Sequence, residues 1–212
     1  MCIFAAIFLK MTIFKRISVV FLLSTLSVAV FCLSSCKKSS VPRPYGYYRI
    51  ATPPHTYHPV SVAGAHFDLS DYATVQMKKS QITNHKSQIT NQLFDIHYPT
   101  LNADIHCSYF PVQGNLRELS DDAMEFIYKH VQQVSSIPEQ IYQNDEKRVY
   151  GVFFHLEGNA ASPYQFFMTD STAHFLRGAA YCYCRPNADS LAPVHDFLSA
   201  EIQHLIESLS WK

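Results

Sequence analysis

The stretch from residue 150 to 178, YGVFFHLEGNAASPYQFFMTDSTAHFLRG, constrains the fold more than any other part of this chain. Two aromatic-rich runs flank the small polar segment Gly158-Asn159-Ala160-Ala161-Ser162-Pro163, and a second polar turn follows at Thr169-Asp170-Ser171-Thr172. Val, Phe and Tyr suit a pleated, half-buried surface, and clusters of Gly, Asn, Ser and Pro interrupt it. The pattern predicts three successive antiparallel strands at 149–156, 164–168 and 174–184. Such a meander needs cover on at least one face to be stable in water.

Two amphipathic segments can supply that cover. Over 115–134, Leu116, Leu119, Ala123, Phe126, Ile127, His130, Val131 and Val134 recur at helical spacing, opposite Arg117, Glu118, Asp121, Asp122, Glu125 and Lys129. A second helix is expected over about 191–209, with Asp189 or Ser190 as its cap and Pro193 in its first turn. Its stripe is Leu191, Val194, Phe197, Leu198, Ile202, Leu205 and Leu209. Further strands are expected at 66–69 and 72–77, joined by a turn near Asp71, and at 93–98 and 103–110. In the last, Ile105, Cys107 and Tyr109 alternate with Asp104, His106 and Ser108, the period of a strand with one buried face. The expected fold class is α+β, an antiparallel sheet covered by two helices, in an order similar to a Mog1/PsbP-like sandwich.

Between 78 and 92 the sequence duplicates itself, KSQITNH followed by KSQITNQ. The copies are polar and too short for a solenoid. They read as an inserted surface loop, which costs little because closure entropy grows slowly with length.

The amino terminus reads as an export signal over 1–35. Lys10, Lys15 and Arg16 precede a mostly apolar, uncharged run from 17 to 33, with Met11 as a plausible start. The run ends in Leu33-Ser34-Ser35-Cys36, which resembles a lipobox with Cys36 as the lipidated residue. An uncut membrane span is the alternative, but spans want about 20 apolar residues. Stable anchoring takes more than one acyl chain. Lys37 and Lys38 follow the cysteine, the opposite charge to the acidic pair at that place which resembles a surface-export tag in bacterial lipoproteins. The expectation is a periplasm-facing anchor, the outer membrane slightly favoured over the cytoplasmic membrane. Residues 36–60 then read as a Pro/aromatic tether, and 61–212 as one domain. Tyr45, Tyr47, Tyr48, Tyr57 and Ile50 are more apolar surface than a spacer needs; they dock on the domain or on a partner.

Loss of Lys10, Lys15 and Arg16 with the leader leaves 14 basic against 17 acidic residues, a net charge of −3. A nucleic-acid face should be strongly basic, so that class is disfavoured. Cys107, Cys182 and Cys184 remain beyond Cys36. Buried thiols, a disulfide from Cys107 to one of the other two, and a metal site are the readings, the last lacking further ligands around C-x-C. Among 11 histidines there is no H-E-x-x-H. His195 and His204 are too far apart to share a helix face as an i, i+4 pair, and His130 lies on an apolar stripe. No metal and no cofactor is expected. Asp170, Ser171 and His174 read as turn chemistry rather than a triad, with no G-x-S-x-G elbow. Candidate partner-binding residues are Asn159, Ser162, Gln165, Asp170 and Arg177, the last two placed across a hairpin from one another, with Tyr47 and Arg49 of the tether.

One resemblance runs through most of 42–211. Pro42-Arg43-Pro44-Tyr45-Gly46-Tyr47-Tyr48-Arg49, Gly158-Asn159-Ala160-Ala161-Ser162-Pro163, Gln165-Phe166-Phe167, Thr169-Asp170-Ser171, His174-Phe175-Leu176-Arg177-Gly178-Ala179 and Asp189-Ser190-Leu191-Ala192-Pro193 resemble, in order, the gliding-motility lipoprotein GldD family of Bacteroidetes. It fails over about 78–92. The resemblance implies a noncatalytic, lipid-anchored periplasmic subunit whose partners are other gliding or type IX secretion envelope proteins. A small-molecule-binding envelope lipoprotein is the alternative, and a hydrolase a third class. Several polar side chains converging in one pocket would favour a ligand. An exposed apolar patch would favour a protein partner.

Overall fold

The meander becomes the middle of a large sheet. A computed structural model describes residues 46–47, 49–78, 92–129 and 134–212. In chain order the elements are β1 (Tyr57–Val62), β2 (Ala65–Ser70), β3 (Thr74–Lys78), β4 (Gln92–Tyr98), β5 (Ala103–Pro111), α1 (Leu116–Tyr128), β6 (Val134–Ser136), β7 (Glu139–Asn144), β8 (Val149–His155), β9 (Glu157–Gly158), β10 (Tyr164–Thr169), β11 (His174–Cys182), α2 (Ala188–Ser208) and β12 (Ser210–Trp211). Among the described residues these strands make a seven-stranded sheet ordered β3-β4-β5-β11-β10-β8-β7, a three-stranded sheet β1-β2-β12, and a small β6-β9 pair. Every pairing is antiparallel. The α+β class expected from the sequence is observed, with two α-helices and antiparallel sheets among the described residues.

Register decides which side chains share a face, because directly paired residues point the same way. One row runs Phe94, Cys107, Gly178, Phe166 and Phe153 across β4, β5, β11, β10 and β8. The next runs Ile96, Ile105, Ala180 and Tyr164. This face is buried against α2 and the three-stranded sheet, in one core with Phe67, Leu69, Val194, Phe197, Leu198, Ile202, Leu205 and Ile206. Each such side chain contributes about 1.5–3 kcal/mol when fully buried. On the opposite face, Ile127 of α1 joins Phe154, Leu156 and Ala160 in a smaller core that also takes Phe167 and Val152.

Several elements differ from expectation. Strands β2 and β3 follow one another through the turn at Asp71, but they do not pair. β2 lies between β1 and β12, whereas β3 is an edge of the large sheet beside β4. The tether ends earlier than residue 60: β1 starts at Tyr57, and Ile50 packs on the core. The compact unit begins at Tyr47. Tyr45 and Tyr48 fall outside the described residues, as do His130, Val131, the duplicated loop from 79 to 91, the leader and Cys36.

α1 stops at Tyr128, and Val134 belongs to β6. Phe126, placed on the apolar stripe by its spacing, is 48% exposed. α2 starts one turn earlier than expected, with Asn187 as its cap through a bond from the Ser190 amide. Pro193 therefore lies inside the helix, not in its first turn. β11 ends at Cys182, where the Cys184 amide turns back to the Cys182 carbonyl at 2.9 Å. Cys184 thus leaves the strand and does not share the face of Cys182. β7 and β12 had no counterpart in the sequence reading.

Candidate functional site

The second face of the large sheet is only half covered. α1 lies over its β8–β10–β11 end. Over β4, β5 and part of β11 the outward rows are polar. One row is His97, Asp104 and Tyr181; the next is Asp95, His106, Ala179 and Gln165; the third is Leu93, Ser108, Arg177 and Phe167.

The first two rows arise from a repeat in the sequence. Asp-Ile-His occurs at 95–97 on β4 and again at 104–106 on β5. Antiparallel pairing reverses one copy against the other, so each aspartate meets the other strand's histidine. His106 Nδ1 lies 2.7 Å from Asp95 Oδ1, and His97 Nδ1 hydrogen-bonds Asp104 Oδ1. Lys78, the last residue of β3, places its ammonium 2.5 Å from the other Asp95 oxygen. Tyr183 donates to Asp104 Oδ2 at 2.6 Å and approaches His106 Nε2 at 3.3 Å. Both aspartates are buried.

Burial alone would raise the Asp104 carboxyl. Hydrogen bonds from Tyr183 and His97 and the nearby imidazoles outweigh it and hold the group below its usual range. The same contact with Asp104, then burial, pushes the Tyr183 phenol up to about 12.

Beside this cluster a groove of about 240 Å³ is lined by His106, Ser108, Phe126, Gln165, Arg177 and Tyr181. The Arg177 guanidinium sits 4.4 Å from the Phe126 ring centroid and 5.9 Å from that of Phe110. Burial lowers its pKa against the pull of Asp122 and Tyr181, but an arginine stays charged. A cation held between aromatic faces gains from their quadrupoles. This explains the exposed Phe126: it is a lid on Arg177 rather than a core residue.

The candidate residues named from the sequence separate into three places. Gln165 and Arg177 meet in the groove. Arg177 is paired with Phe167 in the register and does not lie across from Asp170. Asp170 instead organises the β10–β11 turn. Its Oδ1 accepts from the amides of Thr172, Ala173 and His174 at 2.9, 2.8 and 2.8 Å, and its Oδ2 from the Thr172 hydroxyl at 2.8 Å. His174 is hydrogen-bonded to Tyr109 and stacked on Trp211. Asp170 and His174 are thus engaged elsewhere than with Ser171.

Asn159 reaches α2, accepting from the Ala188 amide at 3.0 Å, and so satisfies one of the free donors of that helix end. Ser162 is fully buried. Asn159 and the exposed Tyr47 border a wider cleft of about 790 Å³ with Arg185 and Asn187. Arg49 is exposed. Cys107, Cys182 and Cys184 are free thiols. In the register Cys107 faces Gly178, and Cys182 faces Ala103 at the far end of β5.

The Asp/His cluster was absent from the sequence reading, although the doubled Asp-Ile-His signals it once the two strands are paired.

No curated protein matches this sequence. The family model for the gliding motility lipoprotein GldD matches residues 37–211, which takes in the groove, the Asp/His cluster and both helices. The chain belongs to the gliding motility lipoprotein GldD family.

Proposed function

We propose that this protein is a noncatalytic, periplasm-facing lipoprotein subunit of the envelope machinery for gliding, type IX secretion or both. Its family makes it a membrane-anchored envelope protein with a role in gliding motility. No helix among the described residues is long and apolar enough to cross a membrane. The observation that carries the reading is the family match over residues 37–211. The element order is compatible with a Mog1/PsbP-like sandwich serving as the scaffold.

The groove beside α1 is the contact face in this reading. Several polar side chains converge there, which by itself would suit a small ligand. Its volume of about 240 Å³ lies below the range of about 300–1,000 Å³ usual for small-molecule sites. It matches a side chain or two of a protein partner better, with Phe126 and the exposed Tyr183 as aromatic neighbours.

In-cell crosslinking tests this. Tagged wild type and Cys36→Ala are compared, with a photo-crosslinking residue placed at Ser108 in one set and at Thr52 in another. Anchor-dependent capture of motor or ring subunits from position 108, and not from 52, is the expected result. Capture of nothing above background in cells that are gliding or secreting would refute the reading.

A further inference from the structure

We propose that Asp95, Asp104 and His106 form a binding site for a divalent transition-metal ion of the zinc class. One donor atom from each of the three lies within 4.8 Å of the other two. Around a tetrahedral ion with bonds of about 2.1 Å, ligand atoms stand roughly 3.4 Å apart. No pair of these donors therefore has to close by more than about 1.4 Å, which side-chain rotation on a fixed hairpin can supply.

The chemistry of the donor set selects the class of ion. Two carboxylates and an imidazole are the mixed oxygen and nitrogen ligands that zinc and its neighbours take. Calcium and magnesium prefer oxygen alone. Three protein ligands leave at least one position of a tetrahedral ion open towards solvent.

The surroundings have the form of a supporting shell. The ligands sit on the two paired arms of one hairpin, so backbone hydrogen bonding holds their spacing. His97 and Tyr183 both hydrogen-bond Asp104 and fix its carboxylate plane. Outer partners of this kind orient metal ligands and typically matter tenfold or more for affinity, by about 10–100-fold.

The charge balance points the same way. Two buried carboxylates share this patch, and among the described residues Lys78 is the lysine or arginine paired with either of them. Its side chain is 52% exposed, so it can swing away. In this arrangement Lys78 is a competing cation that a metal ion would displace from Asp95. The inference rests on the hairpin with Lys78 and Tyr183 beside it, and is independent of the machine-subunit reading.

The test uses the full mature lipoprotein, purified in detergent and stripped with chelator. Zn2+ binding is followed by calorimetry, and Co2+ binding by visible ligand-field absorption. Wild type is expected to bind one equivalent with Co2+ bands of low-symmetry, four-coordinate type. Asp104→Asn and His106→Gln should each weaken binding about tenfold or more. Lys78→Ala should tighten it, an effect that general loss of structure cannot produce. Circular dichroism of each metal-free variant checks that it is folded. Lys78→Ala changes an exposed side chain and keeps the test decisive if the ligand variants unfold. Absence of stoichiometric binding would overturn the proposal. So would binding that is indifferent to Asp104→Asn, His106→Gln and Lys78→Ala, since the ion would then be held by histidines elsewhere.

Discussion

His55 Nδ1 lies 2.7 Å from Glu201 Oε1, joining the segment that enters the domain to the middle of its last helix. The Tyr57 hydroxyl donates to the same oxygen at 3.0 Å, and the buried Tyr98 hydroxyl donates to Oε2 at 3.3 Å. His55 also stacks on Phe197 and Tyr57 on His204, with centroids 5.0 and 3.7 Å apart. Glu201 is 3% exposed, and a carboxyl group buried that far needs the hydrogen-bond donors that surround it here. Glu201→Ala leaves three polar groups without their acceptor and is expected to cost about 2–4 kcal/mol. Glu201→Gln keeps one acceptor oxygen and should cost less. Urea unfolding followed by the single tryptophan, Trp211, reads both. Equal stability of wild type and Glu201→Ala would remove the latch from the account.

The β10–β11 turn makes a prediction about acid. Burial would raise the Asp170 carboxyl, but the amides of Ala173, His174 and Thr172 and the Thr172 hydroxyl outweigh it and bring its pKa down to about 2. A carboxylate depressed on folding stabilises the protein above its unfolded pKa of about 3.9, and that stability is lost as pH falls towards 2. Asp170→Asn keeps the shape and removes the charge. It should cost about 1–2 kcal/mol at pH 7 and close on wild type as pH falls from 4 to 2. A difference that stays constant over that window would show that charge is not the cause.

Two glycines on the core side are predicted to reject even a methyl group. A Cβ on Gly178 would enter the ring of Phe166, its direct partner on β10, which is itself 1% exposed. A Cβ on Gly151 would collide with the carbonyl oxygen of Phe167. Alanine usually improves on glycine inside a strand, so a loss here has to come from overpacking. Gly178→Ala and Gly151→Ala are each expected to lose about 1–3 kcal/mol, with Gly151→Ala the worse because backbone yields less than a ring. Thermal melting checks the order.

The thiols should label in sequence. Cys184 is exposed and should react first with an aromatic disulfide reagent. Burial, then neighbouring Cys184, pushes the Cys182 thiol up to about 11, so it should follow slowly at neutral pH. Cys107 is buried, burial and the nearby Asp95 raise its pKa, and it should label only on unfolding. Timed labelling with mass spectrometry distinguishes the three. A Cys107 that resists labelling in denaturant until it is reduced would instead reveal a disulfide.

What could be read in the sequence was whatever local chemistry decides. Strands β8, β10 and β11 declared themselves because aromatic runs buried on both faces fit little else. α2 did so because Val194, Phe197, Leu198, Ile202 and Leu205 line one side. β1 and β7 could not be read that way. His58-Pro59-Val60-Ser61 and Glu139-Gln140-Ile141-Tyr142 lie largely in solvent at sheet edges, so their strand character comes from the neighbour they pair with. The groove was half legible, through Gln165 and Arg177. The Asp/His cluster needed the register: Asp95 and His106 lie on successive strands, and only the β4–β5 pairing sets them opposite one another.

The strap at Glu201 has a mechanical consequence. On the proposed reading, an anchor at Cys36 within a moving assembly would load the domain along its own backbone. Tension arriving from the anchor enters the folded unit at Ile50, His55 and Tyr57, where side chains clasp the core and α2. Behind them lie β1, its six register pairs with β2, and then β12, where the carboxyl terminus closes against the same strand. The first and last described strands thus both pair with β2. A tug on the lipid would strain the clasp at Glu201 before it reached the large sheet, leaving the groove and the Asp/His hairpin mechanically sheltered.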